Sequence, residues 1–145
     1  MSNSTGYGQS FTKKLLDQGK LDEALAEADR AVARDADDPE PVFDRAQVWF
    51  AMERWEDGIA DVQRALQLDE EAQVLEDSLV DDLVFSSLLA WAKQTAEKGK
   101  DVGAATAILD RYATIFPRGS HVADAGEWKR RLRGELVTTS WTKQR

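Results

Sequence analysis

The chain repeats itself at an offset of 34 residues, and that period constrains its fold more than any other feature. In 21–34, Leu21, Ala24, Leu25, Ala28, Ala31 and Val32 recur at the i, i+3, i+4, i+7 spacing of an amphipathic helix. In 55–68, Trp55, Gly58, Ile59, Val62, Ala65 and Leu66 each stand 34 positions after their counterparts. Ala26/Ala60, Arg30/Arg64, Ala31/Ala65 and Asp35/Asp69 are identical at this offset, while Lys20/Arg54, Asp22/Glu56 and Glu23/Asp57 keep their charge. Two helices that match in phase, residue size and charge must bury equivalent faces, and each needs a neighbour that repeats with it.

Those neighbours are legible around the repeat. Asp35-Ala36-Asp37-Asp38-Pro39-Glu40-Pro41 reads as a turn with proline opening a new helix, where its missing N–H does no harm. The helix over 40–52 puts Val42, Ala46, Trp49 and Phe50 on one stripe, and Glu53-Arg54 turns the chain into 55–68. Residues 73–116 form a looser third unit. Leu79, Val80, Leu83, Val84, Leu88, Trp91, Ala92 and Thr95 predict a long apolar helix over 77–97, with Gly99-Lys100-Asp101 as its turn. Val102, Ala105, Ile108, Leu109, Tyr112, Ile115 and Phe116 predict its partner, stopped by Pro117; Gly103 inside it is read as permitting a close approach. A last helix over 120–137 takes Ser120 as N-cap and Val122, Ala125, Trp128, Leu132 and Leu136 as its inner stripe, leaving the basic patch Lys129, Arg130, Arg131 and Arg133 mostly outside. Residues 138–145 read as an irregular tail, with Trp141 unexplained, and no strand is predicted.

On these residues the chain resembles the tetratricopeptide-repeat family, most clearly over 19–72. Ala46 stands at the family's small site on the first helix of a repeat, Trp49 at its aromatic site, and Gly58 and Ala65 at the two small sites of the second helix. Gly19, Ala24 and Ala31 fill the matching turn and small sites one unit earlier, where helices approach closely and a larger side chain would wedge them apart. Val42 replaces the family's tryptophan, Arg45 its leucine and Glu70 its closing proline. Phe116-Pro117-Arg118-Gly119-Ser120 resembles the helix link of bacterial envelope-type repeats. The resemblance implies an all-α, right-handed superhelical stack of about three hairpins with a C-terminal capping helix. It implies one domain over 1–137, with units at about 5–38, 39–72 and 73–117, a capping helix at 120–137, and a first helix running from Tyr7 to Leu16.

The resemblance further implies a protein-binding groove lined by the first helix of each hairpin. Phe43, Asp44, Gln47 and Phe50 are the candidate partner-binding residues on helix 40–52, continued by Ser87, Trp91 and Gln94 on the long helix. Phe50 and Trp91 each have two readings, as exposed anchors or as ordinary core. Asp44 and Gln9 stand where carboxylate-gripping adaptors of the family carry an asparagine and a lysine, so a basic or apolar segment suits this groove better than an acidic terminus. The expected function is an adaptor or scaffold holding a peptide, helix or partner subunit. The alternative is a dedicated chaperone for a secreted or aggregation-prone partner, and self-association is open to a stack this short.

Charge and composition narrow the remaining classes. Net charge is −8; residues 1–72 carry 8 Lys/Arg against 17 Asp/Glu, and 117–145 carry 7 against 3. An acidic body disfavours nucleic acid and anionic membranes. With no cysteine there are neither disulfides nor thiolate metal sites, and with His121 the only histidine there is no multi-histidine metal site. No Gly-x-Ser-x-Gly turn or phosphate-cradling glycine loop is present, and Asp81-Asp82 and the acids of 35–38 read as turn and cap groups. Neither an enzyme nor a cofactor is expected. The N-terminus lacks the pattern of a secretory signal and no segment is apolar enough to span a bilayer, so the expected location is cytoplasmic. Arginine outnumbers lysine, which hints at a GC-rich bacterial source.

Overall fold

The computed structural model describes residues 10–134, which hold seven helices and no strand. These are α1 (Phe11–Asp17), α2 (Leu21–Arg34), α3 (Pro39–Ala51), α4 (Trp55–Leu68), α5 (Asp77–Lys98), α6 (Val102–Ile115) and α7 (Val122–Leu132). The expectations for Tyr7, Gln9, Leu136, Trp141 and the tail lie outside the described residues. The chain divides into two compact units, Met1–Val80 and Asp81–Arg145, with the boundary inside α5.

In the first unit, α1 packs on α2, α2 on α3 and α3 on α4, and α1 also reaches α3. The 34-residue period extends to the backbone. Gly19 and Glu53 both adopt positive φ, at 77° and 61°, to close α1 and α3. Lys20 N–H donates to the Leu15 carbonyl and Gly19 N–H to Leu16; Arg54 N–H donates to Trp49 and Glu53 N–H to Phe50. This is the same Schellman closure twice, made by glycine in one copy and by a glutamate in a left-handed conformation in the other. Lys20 and Arg54 then enter α2 and α4 with nearly identical dihedrals, φ −89°, ψ 73° and φ −93°, ψ 74°.

Of the small sites, Ala31 is half-buried, whereas Ala24, Ala46, Gly58 and Ala65 are packed tightly. Ala24, Ala46 and Ala65 are fully buried, and Leu15, Ala24 and Val48 form a core cluster joining α1, α2 and α3. Gly58 faces the Phe50 ring so closely that a Cβ there would lie 2.5 Å from Phe50 Cε1. The helix tolerates a glycine, at about 1 kcal/mol, because a large ring occupies the space of its missing side chain. Arg45, at the site where leucine was expected, donates to both carboxylate oxygens of Asp61 at 2.8 and 3.0 Å and to Asp29 at 3.0 Å. It ties α3 to both α4 and α2. Beyond α4, the Asp69 carboxylate accepts from the backbone N–H groups of Gln73, Val74 and Leu75, turning the connector back on itself.

In the second unit, Val84, Leu88 and Ala92 of α5 and Ala105, Leu109 and Tyr112 of α6 are buried, and α7 packs on α6. Lys100, not Gly99, takes the positive φ of the α5–α6 turn, and the Asp101 side chain caps α6 by accepting from Ala104 N–H. Three expectations for the last helix are corrected, the first being its end, which comes at Leu132 and not at 137, before a turn in which Gly134 takes a positive φ of 78°. Ser120 is not its N-cap: its N–H and hydroxyl both donate to Asp81, and the helix begins at Val122 after His121. Val122, placed on the inner stripe, is 41% exposed.

Candidate functional site

A cleft in the first unit gathers three of the predicted partner-binding residues, Phe43, Asp44 and Gln47, all half-buried. The acidic turn before α3 adds Asp38, α3 adds Glu40 and Pro41, and α2 adds Glu27, Ala31 and Arg34 to the lining. Phe50, left open between anchor and core, is core: it is 7% exposed, lying against Gly58 and 6.4 Å from the Trp55 ring. Ser87 is also buried, so its hydroxyl does not face a partner. Trp91 is half-buried beneath the Arg111 guanidinium, Gln94 is half-buried, and both belong with Ser87 to the second unit.

The residues that sequence reasoning missed complete the cleft. Phe11, Val74 and Leu79 are 58%, 50% and 57% exposed, and all three line it. Val122 is the fourth and last exposed large hydrophobic among the described residues. Leu79 had been counted among the apolar residues that predict the long helix. Val80 is buried and Leu79 is left outside, although other adjacent pairs on α5, such as Val84 and Phe85, are both buried. Nothing in the spacing singled out Leu79, and the position of Val74 is set by the Asp69 carboxylate.

The polar side of the cleft is acidic. Ser10 caps α1 and donates its hydroxyl to Asp44 at 2.7 Å, a bond between residues one 34-residue period apart. Gln47 reaches the other Asp44 oxygen at 3.5 Å. Burial pushes the Asp44 carboxyl above the ordinary aspartate range, outweighing the Ser10 hydrogen bond and Lys13. Glu40 is raised by burial, then by Asp38 and Asp44. The two cations of the lining are already engaged within the chain, Arg34 with Glu27 at 3.2 Å and Lys13 with Asp17 at 3.1 Å.

A second polar cluster sits in the other unit, and it is structural. Tyr112, fully buried, donates its hydroxyl to Asp81 and receives the His121 N–H at 2.9 Å. Burial alone would raise Asp81, but the bonds from Tyr112 and Ser120 outweigh it and hold the carboxyl below its ordinary range. The Tyr112 hydroxyl is pushed up to about 12 by burial and by Asp81. His121 stacks on Phe85 at 4.4 Å with its ring nitrogens 2.7 Å from Asp82 and 2.9 Å from Asp124. An imidazole between two carboxylates donates from both nitrogens only when protonated, and those bonds, Asp82 first, raise its pKa. The Ser120 hydroxyl points to Asp81 rather than to His121, so no nucleophile–base pair forms.

This cluster carries a pH dependence of defined sign. A histidine whose folded pKa is raised contributes stability that is full below its unfolded value, about 6.5, and lost as pH rises through the folded value. Asp81, depressed, contributes above the unfolded carboxylate value of about 3.9 and loses its contribution as pH falls through the folded one. The urea midpoint of the wild type should therefore decline on raising pH above about 6.5. A His121→Gln variant should lack that decline, and an equal slope in both proteins would rule His121 out as its source.

The predicted basic patch is partly neutralised. Lys129 pairs with Asp110 and Arg131 with Glu127, and the Trp128 ring lies between the Lys93 ammonium and the Arg131 guanidinium, each 4.8 Å away. Arg130 and Arg133 are exposed. Among the described residues no group of three or more His, Asp or Glu side chains could hold a metal ion, and no helix is long and apolar enough to cross a membrane. No family model, curated protein or solved structure matches the chain.

Proposed function

We propose that this chain is a tetratricopeptide-repeat-like adaptor or scaffold that holds a peptide, helix or partner subunit on the cleft of its first unit. One observation carries the reading: three of the four exposed large hydrophobics among the described residues converge on one cleft, beside Phe43, Asp44 and Gln47. Solvent-exposed apolar side chains scattered singly need no explanation, but a gathering of them on one concave surface is what a docking site supplies. The repeated Schellman closures and small-residue contacts support the tetratricopeptide reading of this unit. The role is binding rather than catalysis, and the proposed setting is cytoplasmic.

The test is a Phe11→Ser/Leu79→Ser double variant. Both side chains are more than half exposed, so stability should stay within about 0.5 kcal/mol per substitution. A partner captured from native lysate, then purified, should bind the variant at least about tenfold more weakly by titration calorimetry. Equal affinity would remove the cleft from the binding surface.

A further inference from the structure

We infer that the occupant of this cleft is a segment of another protein that sets bulky apolar side chains beside lysine or arginine. The inference rests on the docking reading above and specifies the partner's chemistry. Phe11, Val74 and Leu79 offer apolar contact, and the rim around them carries Asp38, Glu40, Asp44 and Glu76. None of these four carboxylates makes an ion pair among the described residues. Among the described residues the lining cations, Lys13 and Arg34, are held by Asp17 and Glu27. A purely apolar occupant would strip water from the carboxylates and give nothing in return, and an anionic one would add repulsion. A cationic side chain next to the apolar anchor satisfies both halves of the surface. Burial first, and then repulsion from Asp38 and Asp44, disfavours the charged form of Glu40, and such a cation relieves both.

The chemistry excludes the anionic alternatives, nucleic acid and acidic lipid, which meet repulsion on this rim. The experiment uses the full chain and labelled synthetic peptides sharing one leucine/phenylalanine pattern, with lysine, serine or glutamate at the intervening positions. A further lysine peptide has its apolar residues changed to serine. In fluorescence anisotropy the lysine–leucine peptide should bind at least about tenfold more tightly than the glutamate version, with the preference shrinking as salt is raised. A Glu40→Gln/Glu76→Gln variant should weaken the lysine–leucine peptide several-fold, leave the serine–leucine peptide unchanged, and keep its circular dichroism. Leu79→Ser, which removes apolar contact without changing the charge of the rim, should weaken every leucine-bearing peptide and spare the lysine–serine one. If the glutamate or serine version binds as tightly as the lysine version, the inference about charge falls and the docking reading stands. If no peptide binds, or only the lysine–serine peptide does, both fall.

Discussion

Gly119→Ala is expected to destabilise the protein by roughly 3 kcal/mol, out of proportion to a single methyl group. A Cβ at this position would lie 2.1 Å from the Tyr112 hydroxyl oxygen, 2.7 Å from its Cζ and 2.8 Å from Phe116 Cβ. A clash with the tip of a mobile side chain would be cheap. This tip is not mobile: Tyr112 is fully buried, meets Phe85 edge-on at 5.6 Å, donates to Asp81 and accepts from the His121 N–H. Phe116 Cβ, one bond from the backbone, cannot withdraw without moving the end of α6. Relief requires either overpacking, about 1–3 kcal/mol, or moving Tyr112 off a buried carboxylate, where a charged hydrogen bond contributes about 1.5–3 kcal/mol. Gly126→Ala in α7 is the control, since nothing lies within 4 Å of its Cβ position. There the helix-propensity gain of up to about 1 kcal/mol stands alone and should raise stability. Urea midpoints moving in opposite directions confirm the close approach at 119; a neutral Gly119→Ala would mean that Tyr112 is free to move.

How much of this was legible depends on the range over which each residue acts. Helices 21–34 and 55–68 were bounded correctly because their apolar spacing is local and repeated, and α3, expected over 40–52, was misplaced by one residue at each end, starting at Pro39 and ending at Ala51. Phe50 was ambiguous because periodicity gives a direction on a helix but not what fills it; Gly58, eight residues on, settles it by leaving room for the ring. Gly103, read as a close approach, has only Asp101 Oδ1 at 3.6 Å from its Cβ position, so nothing in the packing requires it. The converse error was at Gly119, seen only as part of a link. Of the cleft, Phe43, Asp44 and Gln47 followed from the resemblance. Phe11, Val74 and Leu79 did not, because their exposure depends on what fails to cover them. The Asp81, Tyr112, Ser120 and His121 cluster joins residues up to 39 apart, and no spacing rule announces a pairing of that kind.

Arg45 shows the same limit from the opposite side, since it was noted as a departure where the resemblance puts leucine. Its guanidinium is one-quarter exposed, while Asp61 is 8% exposed and has two oxygens turned to it. The hydrogen bonds to Asp61 come first among the interactions that hold Arg45 firmly protonated, ahead of those to Asp29. Arg45→Met should cost about 2–4 kcal/mol, because it leaves a nearly buried carboxylate with no cation, and that desolvation dominates over any loss of packing. Asp61→Leu alone should cost less, about 1–2 kcal/mol, since Arg45 keeps Asp29 and part of its hydration. The combined variant places two apolar side chains at the α3–α4 contact and should return to within about 1 kcal/mol of wild type. The cycle, read from urea midpoints, thus has a coupling of about 2 kcal/mol or more, carried by the pair rather than by either residue. Costs that simply add would mean that Arg45 and Asp61 act independently, and that α3 and α4 are held together by the Val42, Ile59, Val62 and Ala65 core without regard to charge.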